Sequence, residues 1–89
     1  MLTVGRVLKA IRAGKDLTQE YVLLASGAYG DTRTLRAIES GKYRPTRSRL
    51  IRLVRYGLEI EDDLLLNKIL CLAEYWPLSV EEIATLHTR

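Results

Sequence analysis

The chain predicts an all-α fold of five or six helices, and three observations carry that expectation. Apolar residues recur at helical spacing, while alternating runs are absent and phenylalanine is missing altogether. Residues able to cap a helix stand just before those apolar runs, and glycines fall where the runs stop.

The elements follow in order. Val4, Val7, Leu8 and Ile11 share one helical face behind a Thr3 cap, and the run stops at Gly14. Thr18 caps a second helix, with Leu17 and Val22 spaced as a hydrophobic staple and Gly27 at its end. The stretch "DTRTLRAIESG" reads as a third helix, capped by Asp31, turned inward by Leu35 and Ile38, and closed near Gly41. After Pro45, Thr46 opens a fourth helix with Leu50, Leu53 and Val54 inward, ending near Gly57. "EDDLLLNKILCLAEYW" makes a fifth, its leading acids matched to the helix dipole. Leu64, Leu65, Leu66, Ile69, Leu70, Leu72 and Ala73 cover more than one stripe, so this helix expects cover on two sides. In a short last helix Ser79 and Glu82 form a capping box, and Leu78 with Ile83 a staple.

Charge divides the chain. Residues 1–60 hold 12 lysines and arginines against 5 acids, whereas residues 61–89 hold 2 against 6. Sorting of this kind predicts a body that faces an anion and an acidic C-terminal extension. The boundary expected from it separates a domain over 1–60 from a helical extension over 61–89. No run approaches the roughly 18 apolar residues of a membrane span, and "MLTVGRVLKAIR" lacks a signal-peptide core. A cytoplasmic protein that does not engage membranes is expected. Cys71 is the sole cysteine, which excludes an intramolecular disulfide and suits a reducing compartment. Cys71 reads as a small buried hydrophobe and His87, near the last apolar stripe, as a packing or frayed residue. Together they have neither metal-ligand spacing nor a triad partner, so no metal, cofactor or enzymatic activity is expected.

One ordered set of pieces carries a resemblance: Arg12, "LTQE" at 17–20, Gly27, "LRAIESG" at 35–41 and Pro45. It resembles the Cro/lambda-repressor (XRE-type) helix-turn-helix family over roughly residues 4–60. The resemblance implies a lambda-repressor-like helix-turn-helix domain with a C-terminal helical extension. The implied function is that of a sequence-specific, double-stranded DNA-binding transcriptional regulator of prokaryotic or phage type, nucleoid-associated and homodimeric. Its third helix, about 31–40, would enter the major groove. Base contacts then fall on Thr32, Arg33, Arg36 and Ala37, with Arg33 ahead of Arg36 because arginine bonds bidentately to guanine. Backbone contacts fall on Gln19, Tyr29, Ser40, Lys42, Tyr43, Arg44 and Arg47, and about five neutralised phosphates imply a salt slope near −4 to −5. Arg12 and Glu39 match an ion pair that is structural in the family.

Two departures stand out. Gln19 and Glu39 lie 20 positions apart, about two more than the family usually has, with the excess in "GAYGD". The usual small residue at the motif's fifth position is Leu23, which is expected to spread or tilt the helices. Tyr29 on the longer turn would pack on the third helix or reach a phosphate, and Tyr21 would be core edge or a phosphate contact. Arg49, Arg52 and Arg55, at helical spacing, read as a solvated outer stripe. The apolar surplus of the fifth helix makes Leu65, Leu66, Ile69, Leu72 and Trp76 the expected dimer or partner interface. A rival reading keeps the scaffold but makes the chain a protein-interaction adaptor, an antitoxin or anti-repressor, that binds its partner through 61–89.

Overall fold

The computed structural model describes residues 3–88, so Met1, Leu2 and Arg89, at the ends of the two expected segments, lie outside the described residues. Six α-helices and no strand are found among the described residues: α1 (Val4–Gly14), α2 (Gln19–Ser26), α3 (Thr32–Glu39), α4 (Arg47–Arg52), α5 (Asp63–Leu72) and α6 (Val80–His87). A π-helical turn, Leu53–Gly57, continues α4. No helix is long and apolar enough to cross a membrane.

Local chemistry starts each helix. Thr3, Thr18, Asp31, Thr46, Asp62 and Ser79 each accept a backbone N–H of the first turn, and Ser79 with Glu82 closes the full capping box. Three helices end alike. The amides of Leu17, Lys42 and Tyr75 donate to Arg12, Ala37 and Leu70, the long bond of a Schellman closure. The left-handed residue of each closure is Asp16, Gly41 or Glu74. This closure stops α5 at Leu72, short of the helix expected through Trp76, and Glu74 adopts φ 65° to make it.

One core joins both expected segments. Leu8 of α1, Val22 of α2, Leu35 and Ile38 of α3, Leu50 of α4 and Leu66, Ile69 and Leu70 of α5 are all buried in it. Two glycines allow its closest approaches. A Cβ on Gly5 would lie 2.1 Å from the Ile38 carbonyl oxygen, so α1 crosses α3 backbone to backbone. A Cβ on Gly57 would meet Val22 Cγ1 at 2.8 Å, where the π turn packs against α2. Leu23 is buried here as well.

The π turn alters the expected outer stripe. Its amide of Leu58 reaches the Leu53 carbonyl, one residue further than an α-helix would. The wider turn rotates residues 53–57 against the face of α4, and Arg55 ends buried rather than solvated. Arg55 pairs with Asp63, and Nη1 donates to the Ile60 carbonyl at 3.1 Å. Arg52 donates Nε to the Ser26 carbonyl at 3.1 Å, and Arg49 lies over the Tyr29 ring. All three arginines of the stripe are therefore engaged, but Arg49 and Arg52 remain exposed as expected and only Arg55 is buried.

The C-terminal part also differs from expectation. Leu66 and Ile69 are sealed in this chain's own core, because α5 lies against both α1 and α4; they have no surface for a partner. Leu65 is half-buried, while Leu72 and Trp76 remain exposed, Trp76 at 84 %. Cys71 is exposed, not buried, because it faces away from the Leu66–Leu70 side of α5. His87 meets a charge instead of an apolar face, with Nε2 2.8 Å from Asp63 Oδ2.

Candidate nucleic-acid interface

Helix α3 is held from beneath by apolar contacts and by one charged cluster. Leu35 and Ile38 face the core, and the buried Glu39 carboxylate accepts from Arg12 Nε at 2.7 Å and Nη2 at 3.0 Å. Gln19 Nε2 donates to the same carboxylate at 3.1 Å, and Arg12 Nη1 to the Leu17 carbonyl at 3.0 Å. The hydrogen bonds to Glu39 raise the Arg12 pKa above its ordinary value. A buried carboxylate demands this satisfaction, since an unpaired charge there is costly. The ion pair expected between Arg12 and Glu39 is present, and it ties α1 to α3 with α2 as a third party.

The outer side of α3 is polar and basic. Thr32 and Ala37 are half-buried, whereas Arg33, Arg36, Ser40 and Lys42 are exposed. Arg33 is engaged by the helix's own cap. Asp31 Oδ1 accepts the Arg33 amide at 2.8 Å, and Oδ2 accepts Nε at 3.0 Å and Nη2 at 2.8 Å. These bonds from Arg33 lower the Asp31 pKa. The pair stands in water, its side chains 84 % and 45 % exposed, where such a bridge contributes little and exchanges readily. No ion pair is found for Arg36 or Lys42 among the described residues.

Between α1, α2 and α3 lies an open hollow of about 630 Å³. Lys9, Thr18, Gln19, Arg36, Ser40 and the exposed Glu20 stand around it, and Glu39, neutralised by Arg12, forms part of its wall. The start of α2, where the Thr18 hydroxyl caps the Tyr21 amide, borders the same space. Gln19 borders this hollow, with one of its N–H groups committed to Glu39.

Other expected contacts are engaged within the chain, although Tyr21, Tyr43 and Arg44 stay exposed. The Tyr29 ring meets Tyr43 edge-on, centroids 6.0 Å apart, and Arg49 lies 4.9 Å from its centroid. Its hydroxyl is buried without a hydrogen-bond partner, and that burial pushes its pKa up. Tyr29 therefore closes the lengthened turn onto the α3–α4 connection and cannot offer its hydroxyl to a phosphate. Tyr21 donates its hydroxyl to Glu59 at 2.9 Å. Arg44 and Arg47 are drawn to the segment after α5 instead of standing free beside α3. The reason is distant in sequence: chain 29 to 35 residues later returns past them with carbonyl and carboxylate oxygens.

The set brought together around α3 is therefore Lys9, Gln19, Thr32, Arg33, Arg36, Ser40 and Lys42. Lys9 went unnoticed in the sequence because it sits on α1, and only the α1–α3 crossing moves it beside Arg36. No family model, curated protein or solved structure matches this chain.

Proposed function

We propose that the protein is a double-stranded DNA-binding transcriptional regulator whose helix α3 enters the major groove. The observation that carries this reading is the pairing of a rigid inner face with an exposed basic outer one. Arg12, Gln19 and Glu39 hold α3 in place, and Arg36 stands outward beside Lys9 and Ser40. A helix so anchored can hold side chains at base edges, while Lys9 and Arg36 supply positive charge to the hollow by α2, against the one exposed acid there, Glu20. Arg36 becomes the leading base-reading residue, because Arg33 must first exchange Asp31 for a base. Lys9 and Lys42 serve the sugar-phosphate strand. A helix-turn-helix made of α2, the turn 27–31 and α3 is part of the same proposal, as is action as a homodimer on two half-sites.

Selection of binding sites from a random duplex pool tests the reading. A palindromic consensus supports both groove recognition and the dimer. Duplex binding with no preferred sequence removes specific recognition, and a monodisperse monomer with and without DNA removes the dimer.

One observation favours the adaptor reading: Trp76 and Val80 are 84 % and 80 % exposed, on the acidic part of the chain. If the protein fails to bind any duplex at low salt yet forms a stoichiometric complex that Trp76→Ala abolishes, this second reading replaces the first.

A further inference from the structure

Beside the end of α3, two arginines already hold what a nucleic-acid strand would offer them. Arg47 grips the Glu82 carboxylate with both terminal nitrogens, Nη1 to Oε2 at 2.6 Å and Nη2 to Oε1 at 2.8 Å. Its Nε and Nη2 also donate to the carbonyls of Trp76 and Pro77, at 3.1 and 2.9 Å. Arg44 donates Nη2 to the Ala73 carbonyl at 2.5 Å and stacks 4.3 Å from the Tyr75 ring centroid. A fork–fork bond to two anionic oxygens is the geometry a guanidinium also adopts on a phosphodiester.

We propose that the C-terminal arm, residues 73–82, competes with DNA from within the chain, occupying Arg44 and Arg47 with its own oxygens as a stand-in for the phosphate strand. This inference rests on the DNA-binding reading given above. Bound in this way, Arg47 is withheld from DNA until Glu82 lets go.

Several features make the grip releasable. Helix α6 contributes no fully buried residue: Ile83 and Leu86 are half-buried, and the exposed His87 at its far end meets Asp63. The side chains of the Arg47–Glu82 pair are 27 % and 35 % exposed, so water and ions reach them. The root of the arm is firmer. Tyr75 donates its hydroxyl to the Pro45 carbonyl at 2.7 Å, and Asn67 Oδ1 accepts the Leu78 amide at 2.8 Å. Release at Glu82 therefore frees Nη1 of Arg47 for a phosphate, while the root of the arm stays attached and its Trp76 and Pro77 carbonyls keep Nε and Nη2. Arg44, bonded at that root, follows second.

The substitution Glu82→Gln separates charge from fold, because glutamine can also complete the capping box with Ser79. Wild type, E82Q, Arg47→Ala and the double variant, each as the full chain, are titrated with a duplex across a salt series. Thermal melting of each sample establishes that it is folded. E82Q is expected to bind roughly three- to tenfold more tightly at low salt, with a salt slope steeper by about 0.9, the share of one phosphate contact. R47A alone should leave affinity within about twofold and should erase the gain in the double variant. Glu82→Ala, which lacks the cap, should steepen the slope in the same sense and serves if E82Q melts too low. Duplex binding with an unchanged slope in both Glu82 variants overturns the internal competitor and leaves the DNA reading standing. So does an equal loss on R47A in both backgrounds. Failure of all proteins to bind duplex at low salt overturns the DNA reading, and this inference with it.

Discussion

Helices α3 and α4 follow one another in the chain and both are rich in arginine, yet their arginines behave in contrasting ways. On α3, Arg33 is bound by its own cap, and Arg36 is exposed. On α4 and the π turn, Arg47, Arg52 and Arg55 each bond a distant element: Glu82, the Ser26 carbonyl and Asp63. The two helices differ in their neighbours rather than their composition. Among the described residues no hydrogen bond or ion pair from a later helix is found on Arg33 or Arg36, whereas α2, α5 and α6 all bring acceptors to the α4 side. An arginine-rich helix is thus a binding surface or a structural brace according to what the rest of the chain lays beside it.

The largest expected effect breaks the brace. Asp63→Ala leaves Arg55 buried without its carboxylate and should lower stability by about 3 kcal/mol, read from urea denaturation. A loss below about 1 kcal/mol would mean that Arg55 is as dispensable to folding as Arg36. The matching change on the other helix, Arg36→Ala, should leave stability within about 0.5 kcal/mol. It should weaken binding to a selected site by about 1–3 kcal/mol and relax preference at one base pair, while Lys42→Ala weakens all sequences alike. A folded R36A protein with unchanged affinity and preference would erase the contrast.

A third test uses acid. The Glu82 carboxyl is held at about 2, chiefly by hydrogen bonds from Arg47 and then from the Ser79 amide, against an ordinary value of 4.5. Asp63 is lowered too, by His87 first and then Arg55. Groups depressed in the folded state contribute stability that is fully present above their unfolded pKa and lost as pH falls through the folded one. Stability should therefore decline between about pH 4.5 and 2 at Glu82. With its side chain 35 % exposed, screening reduces that contribution to on the order of 1 kcal/mol. E82Q should flatten this part of the pH profile in equilibrium denaturation, and a profile identical to wild type would show that the Arg47 grip is not formed in solution.

The smallest effect concerns the bend that aims the arm. Glu74 holds a left-handed conformation that costs a side-chain-bearing residue about 1 kcal/mol, so Glu74→Gly should raise stability by nearly that much. A destabilised E74G protein would place value on the glutamate side chain itself.

Much of the fold was legible in the sequence. Thr3, Thr18, Asp31 and Thr46, and the Ser79–Glu82 box, cap the helices where their spacing predicts, since a cap acts over three residues. The inward faces of α1 to α4 follow from the same short-range periodicity. Less of the candidate site was legible. The Arg12–Glu39 pair was expected from a resemblance, while Gln19 joining it, Lys9 approaching Arg36, and the burial of the Tyr29 hydroxyl arise from helix crossings. Leu66 and Ile69 looked like interface because apolarity alone does not say which chain will cover them.

The sequence by itself determined where helices begin, which sides of them are apolar, and that positive charge gathers ahead of an acidic C-terminal part. These are consequences of backbone bonds and side-chain periods spanning one or two turns. Only the tertiary structure decided which guanidiniums remain in water and which are taken by the chain. Arg47 finds Glu82 across 35 residues, and Arg44 finds Ala73 across 29. Such pairings depend on the path between the partners, here the Schellman bend at Glu74 and the docking of Tyr75 on Pro45, and no local pattern encodes that path.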